Sequence, residues 1–520
     1  MRRLGQFPFH PFLFSLYPPL VLIARNIDQV KPSAMGRAVL VVLTLCTILF
    51  LLLRLLSKDW SKAGAATTWL LALFFTYGHV YIYLEKNPIF GIAIGRHRIL
   101  LPLWIILLGL GFWLLYKKIK DIHNVTVTLN LICALLVAFP LVKWISFEVS
   151  TARIIAQSPK NNPASENSSF DSANYPDIYY IVLDAYGRHD AILKKFKYDD
   201  TPFLNSLKEM GFYVTNCSQS NYSQTPLSMV STLNLSYLTD LSPIFQTGKT
   251  YTKEIWPFLR NSQVQQELKK RGYQIVAFET GYWFTSFDAA DVYYSQSKQG
   301  MTQIEKFEPI NGVEALLIQT TGGILFADIV SFFSSNTGLD AIGPKIIQRN
   351  QILYILSKLP EIPVVVPRPK FVFTHIINPH FPFVFGPNGE MVSYRNFHSN
   401  DWLVGYPQQA EYIGKRITNI VREIIQLSAT PPIIIIQGDH GYDFAKPQDR
   451  LLILNAYYLP GGGDSLLYPT ISPVNTFRVV FSHYFGMDLP LLEDKSFYSA
   501  NWDQAYNFQP MPYGLADCAK

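Results

Sequence analysis

The chain has 520 residues, too many for one ordinary domain, and 49% of them are hydrophobic against 16% charged. Its formal charge of +6 is spread along the sequence without a basic block, which gives no footprint for a nucleic-acid partner. Of four cysteines, Cys46 and Cys133 lie inside apolar runs and Cys217 and Cys518 are the only soluble pair, so a disulfide framework is excluded.

The first 150 residues read as a membrane domain. Apolar runs cover roughly Pro8–Ala24, Ala38–Leu56, Thr67–Leu84, Ile99–Tyr116 and Val125–Ile145, each close to the ~20 residues that a helix needs to cross a bilayer. About five transmembrane helices are expected, the first interrupted by Pro18 and Pro19. With the N-terminus inside, the cytoplasmic segments hold eight Lys and Arg and the opposite loops six. Five spans then put everything after Ser150 outside the cytoplasm, whereas four would reverse it. Residues 151–174 form a linker, and "QSPKNNPASENSSFDSAN" within them has too few apolar residues to bury a core. Residues 175–520 suffice for one large α/β domain.

Within that domain, "PDIYYIVLDAYGRHD" predicts a strand over Ile178–Leu183 ending in Asp184. The stretch "TPFLNSLKEMGFYV" predicts a helix stopping near Gly211. Thr225 then stands directly before Pro226 at the head of "PLSMVSTLNLSYL", the usual grammar of a helix start. Its hydroxyl can cap that helix. It can also act as a nucleophile once a metal lowers its pKa, in a place where free N–H groups favour an anion.

Strands are expected over Tyr273–Thr280, followed by Trp283 as a candidate pocket wall, and from Phe371. The second leads to His375 and His380, whose spacing of five and flanking Pro379 and Pro382 exclude a helical zinc pair. His380 is a candidate for contact with a substrate phosphate, and His375 for either the core or the substrate. An amphipathic helix leads into "PPIIIIQGDHGYDF". Four consecutive isoleucines, Ile433–Ile436, have to be covered on both faces, the habit of a parallel sheet flanked by helices. Asp439 and His440 follow at its carboxyl end, where open α/β sheets collect ligands, and their donors suit a divalent cation. A further strand, Leu451–Pro460, and a closing helix in "SPVNTFRVVFSHYFG" complete the domain.

Three pieces in this order, "IYYIVLDAYGR", "NYSQTPLSMVSTLNLSYL" and "IIIIQGDHG", resemble the alkaline phosphatase/sulfatase superfamily. The likeness is to its membrane-anchored branch of lipoteichoic acid synthases and lipid phosphoethanolamine transferases. The resemblance implies an alkaline phosphatase-like α/β domain with a largely parallel central sheet, after a multi-span membrane domain. It implies Asp184, Thr225, Asp439 and His440 as ligands of one divalent metal ion (Mn or Zn), Thr225 as nucleophile followed by Ser228 and Asn234, and His380 at the transferred phosphate. The implied activity is transfer of a phosphoglycerol- or phosphoethanolamine-type headgroup from a lipid to a cell-envelope glycan or lipid. A hydrolase using the same site, or a membrane protein that only binds glycan or lipid, are the alternatives. Lipoteichoic acid synthases have Glu where this chain has Asp184, and an Arg two residues after the pocket Trp where it has Thr285. The C/S-x-P-x-R run of sulfatases is absent after Cys217, and no G-x-x-x-x-G-K-[ST] run occurs in the α/β domain.

Overall fold

The computed structural model describes residues 7–26, 35–87, 95–157, 175–246, 255–282, 285, 287, 289–295, 311–326, 344–392, 402–442, 446–500 and 504–514. Trp283, Cys518 and the linker residues 158–174 lie outside them. The chain divides into two units, residues 1–153 with 309–347, and residues 154–308 with 348–520.

The first unit is built on five helices, α1 (His10–Arg25), α2 (Gly36–Ser57), α3 (Trp60–Lys86), α4 (His97–Trp113) and α5 (Ile122–Gln157). Among the described residues, four stretches are long and apolar enough to cross a membrane: Gly36–Ser57, Trp60–Glu85, His97–Lys118 and Ile122–Ser146. α1 continues through Pro18 and Pro19 but has only 16 residues. Leu56 is 80% exposed and Phe139 77%. Side chains that would be costly to leave in water are at home against lipid. The protein is accordingly an integral membrane protein. Helix Gly312–Thr320 also packs in this unit: Asn311 caps it, and its Glu314 pairs with Arg37, whose Nε donates over 2.7 Å. Gly78 of α3 lies so close to Thr320 that a Cβ there would collide with its backbone.

The second unit is organised around a seven-stranded sheet. Its strands are β1 (Ile178–Leu183), β2 (Tyr213–Val214), β3 (Gln274–Phe278), β4 (Val292–Tyr294), β5 (Lys370–Ile376), β6 (Ile433–Gly438) and β7 (Asn455–Tyr458), in spatial order β2-β7-β6-β1-β5-β3-β4. The pairs from β6 to β4 are parallel; β7 runs antiparallel to β6 and β2 antiparallel to β7. A small hairpin, β8 (Ser496–Tyr498) with β9 (Gln509–Met511), stands apart from the sheet.

The isoleucine run behaves as its composition demands. Ile433 and Ile435 enter one core, and Ile434 and Ile436 the other. β1 alternates in the same way, with Tyr179, Ile181 and Leu183 on one face and Ile178, Tyr180 and Val182 on the other. Helix Trp402–Leu427 covers the first face with Ile413, Ile417, Ile420 and Ile424. The helices Thr225–Leu233 and Pro473–Phe485 cover the second, through Val230, Phe477 and Phe481. A sheet buried on both faces fixes its register strongly, because a one-residue slip exchanges every side chain between the two cores. Here the register sets Leu183 opposite both Gly438 and Ile376, so the carboxyl ends of β1, β5 and β6 finish level.

Candidate metal centre

Three parallel strands ending together bring Asp184, His375 and Asp439 into one buried place. The turn after β1 is held from several sides. Asp184 N–H donates to Ile376 O at 2.9 Å, and Asp184 O accepts from His380 N–H at 3.1 Å. Ala185 has φ 61°, the left-handed region that a residue with a Cβ enters only under constraint. Its N–H donates to Asp439 Oδ1 at 3.0 Å, and its carbonyl accepts from the Tyr406 hydroxyl at 2.9 Å. The same hydroxyl accepts from Gly187 N–H at 3.0 Å. This turn lies directly on Gly438, where any Cβ would collide with Tyr186 O. Glycine at the end of β6 thus allows the two carboxylate-bearing turns to touch.

Thr225 is the first residue of its helix, and Gln224 occupies the N-cap position with φ −128°. No side chain caps this helix. The capping role open to Thr225 on sequence grounds is therefore not the one its hydroxyl plays. Thr225 Oγ1 instead lies 3.2 Å from His440 Nε2. His440 Nε2 is also 3.6 Å from Asp184 Oδ1 and 3.4 Å from Asp439 Oδ2. In a tetrahedral site with bonds of about 2.0–2.1 Å, ligand atoms stand roughly 3.3 Å apart. The three separations bracket that spacing. Asp184 Oδ1 and Asp439 Oδ2 are buried without a hydrogen-bond partner, as are both ring nitrogens of His375. Buried polar atoms are ordinarily satisfied, and a divalent cation supplies what this cluster lacks. The residues present fit such an ion.

Burial, and then the charge of Asp439, push the Asp184 carboxyl well above its usual range, while the Arg450 guanidinium opposes the shift. Burial would raise Asp439 too. The imidazoles of His440 and His375, the Thr225 hydroxyl and the Ala185 N–H outweigh it, and Asp439 is held below the usual range. His440 is pushed down by burial and by Arg450. His375 and His380 fall to about 4, chiefly through burial. Two carboxylates this close resist ionising together, and of the pair it is Asp184 whose carboxyl is pushed up and Asp439 whose carboxyl is held down.

The remaining expected residues fall around this group. His375 lies in β5, opposite Val182, with Nε2 3.5 Å from Asp184 Oδ2. The ligand-capable atoms of Asp184, His380 and His440 lie within 4.8 Å of one another, and so do those of Asp184, His375 and Asp439. His380 donates from Nδ1 to Phe381 O at 2.5 Å, which leaves Nε2 as its lone-pair nitrogen. Ser228 supports the site at one remove: its hydroxyl meets that of Ser220 at 3.1 Å, and Ser220 donates to Asp439 O at 2.6 Å. Asn234 ties its helix to the Phe258 carbonyl and to Gln263 N–H. Trp283 lies outside the described residues.

Sequence reasoning missed Arg450. It is 1% exposed and donates from Nη2 to His440 Nε2 at 2.8 Å. A single arginine in the loop before an apolar strand carries no spacing signal, so only the fold reveals it.

No family model matches the chain, and no curated protein does. Among solved structures it is similar to the integral membrane lipooligosaccharide phosphoethanolamine transferase A (EptA) of Neisseria meningitidis. That likeness has 12% identity over 92% of this chain and 95% of that one, with a TM-score of 0.36. It is also similar to the C-terminal periplasmic domain of EptC from Escherichia coli in complex with Zn, at 11% identity, 65% and 94% coverage and a TM-score of 0.41. A third is the lipoteichoic acid synthase LtaP of Listeria monocytogenes, at 15% identity, 64% and 76% coverage and a TM-score of 0.33.

Proposed function

We propose that the protein is a membrane-bound, metal-dependent phosphotransferase of the alkaline phosphatase/sulfatase superfamily, with Thr225 as its nucleophile. It moves a phosphoglycerol- or phosphoethanolamine-type headgroup from a lipid donor to a glycan or lipid of the cell envelope. The supporting observation is a buried Thr hydroxyl at a helix start, not spent on capping, 3.2 Å from His440 Nε2, which itself lies within 3.6 Å of Asp184 Oδ1 and 3.4 Å of Asp439 Oδ2. Asp184, Thr225, Asp439 and His440 would hold one divalent ion, Mn or Zn. When bound, that ion lowers the pKa of the Thr hydroxyl and offsets charge on the phosphoryl oxygens.

In the first step the Thr225 oxygen bonds to phosphorus as the bond to the lipid oxygen breaks. A proton is lost at Thr225 and one is gained at the departing oxygen. The free N–H groups at the start of the Thr225 helix favour the anionic phosphoryl group there. In the second step an acceptor oxygen bonds to phosphorus as the bond to Thr225 breaks; the Thr225 oxygen regains a proton and the acceptor hydroxyl gives one up. His380, with its Nε2 lone pair, is the base we assign to that proton. A membrane anchor suits a lipid donor. Lipid and glycan substrates also suit a catalytic domain outside the cytoplasm, which requires α1 to cross as a fifth span.

The test follows the headgroup. Full-length protein in detergent is incubated with phospholipid radiolabelled at phosphorus, with and without an envelope glycan. Label on the glycan that depends on Thr225 is expected. Label released only as a soluble phosphate ester, at the same rate in both mixtures, would make the protein a hydrolase.

A further inference from the structure

Arg450 bridges the two loops that carry the chemistry. Its Nε donates to Ser223 O at 2.9 Å, two residues before Thr225, and its Nη1 to Gly441 O at 2.9 Å, just after His440. Its own carbonyl accepts from Gly441 N–H at 2.7 Å. With two nitrogens on backbone oxygens, the guanidinium plane is fixed and Nη2 is directed at His440 Nε2, 2.8 Å away. The tautomer of His440 follows. Its Nδ1 lies 2.9 Å from Gly441 O, an atom that can only accept, so Nδ1 carries the hydrogen and Nε2 the lone pair. One lone pair serves one partner at a time. A cation bound at His440 Nε2 therefore takes the acceptor that Arg450 Nη2 now uses, whereas Ser223 O and Gly441 O are not contested.

We propose that Arg450 is the arginine that binds the transferred phosphoryl group, and that cation binding at His440 hands its Nη2 from the imidazole to a phosphoryl oxygen. This rests on the reading of Thr225 as nucleophile. Nη2 has to swing off the lone pair to make room for the cation, and the bonds from Nε and Nη1 to Ser223 O and Gly441 O limit that displacement, so the released N–H groups stay near the loops that carry Thr225 and His440. A planar cation with paired N–H groups matches a tetrahedral phosphate ester. The chain lacks an Arg two residues after Trp283, and Arg450 supplies the charge from the opposite loop. In the cation-free protein the same guanidinium covers His440 and works against both ligands. Cation and phosphate consequently assist each other, by the same factor in each direction.

Calorimetry on full-length protein in detergent tests this, with Zn²⁺, inorganic phosphate and glycerophosphoethanolamine as probes and thermal melts alongside. Wild type is expected to bind the phosphate probes at least about tenfold more tightly with Zn²⁺ than without. Arg450→Gln is expected to bind Zn²⁺ more tightly, since a competing donor and a like charge are gone. The Zn²⁺-loaded variant should bind the phosphate probes about tenfold or more weakly. Tighter binding of the diester assigns the site to a lipid headgroup, and tighter binding of inorganic phosphate to a free phosphate; in either case the loss must follow Arg450. Arg450→Lys keeps the charge without the planar fork, and is expected to lose part of the phosphate affinity; it decides the matter if the Gln variant does not melt cooperatively. Weaker Zn²⁺ binding with unchanged phosphate affinity, in either folded variant, would mean that Arg450 only braces the loops. Zn²⁺-loaded wild type that binds neither phosphate probe overturns the function and this inference together.

Discussion

The ends of β1 and β6 present the same chemical group one strand apart, yet the two carboxylates are in different states. Asp439 has one oxygen on the Ala185 N–H at 3.0 Å, and its neighbours hold its carboxyl below the usual range. Asp184 has Oδ1 buried without a hydrogen-bond partner, and its carboxyl is pushed well up. Asp439 is thus part of the framework even without a cation, because it anchors the strained turn that carries Asp184. Asp184 is what the framework holds in readiness.

The most severe break of that arrangement is at Thr225, the proposed nucleophile, beside His440. Thr225→Ala should lower headgroup transfer by at least about a thousandfold, as loss of a covalent nucleophile does. It should leave the melting temperature nearly unchanged, because no cap is lost. A destabilised but active variant in a label-transfer assay would contradict both parts.

Next, the two aspartates should fail differently. Asp439→Ala and Asp184→Ala should each abolish tight metal binding, read by elemental analysis of dialysed protein. In chelator, however, Asp439→Ala should lose about 1–3 kcal/mol of stability through the orphaned Ala185 N–H. Asp184→Ala should be neutral or slightly stabilising, since it removes a buried carboxyl that lacks a full set of partners. Equal losses in chemical denaturation would mean that the asymmetry is not real.

A smaller effect sharpens the picture from behind the site. Tyr406→Phe removes the hydroxyl that accepts from Gly187 and donates to Ala185 O, and should cost about 1–2 kcal/mol while weakening metal affinity severalfold. Unchanged metal affinity would show that the turn holds its shape without Tyr406. Topology can be checked separately: a reporter fused after Lys520 should be active only outside the cytoplasm. Activity inside would leave α1 as a non-crossing helix and remove the lipid-facing donor from the account.

Much of this was legible in the sequence because burial on two faces leaves a strong mark. The apolar runs at Ile178–Leu183 and Ile433–Ile436 named their strands, and Asp184, Asp439 and His440 stood at the ends where ligands gather. What composition cannot give is register between segments some 250 residues apart, which is what puts Asp184 beside Asp439. Thr225 shows the limit of local grammar: Thr-Pro reads as cap and first turn, but the helix starts one residue earlier and the hydroxyl faces His440. Arg450 left no trace, since its role depends on the loops at Ser223 and Gly441 meeting. The packing of Gly312–Thr320 in the first unit was equally silent, because a nine-residue, largely apolar helix looks the same in either unit.

The central claim is that Thr225 carries the headgroup between donor and acceptor. Mass spectrometry of protein quenched in acid during turnover on phospholipid, without acceptor, tests it most directly. The account predicts a phospho-headgroup adduct on Thr225, absent from Asp439→Ala and discharged when acceptor is added. Turnover at full rate with no adduct on Thr225, or with the adduct on another residue, would contradict it.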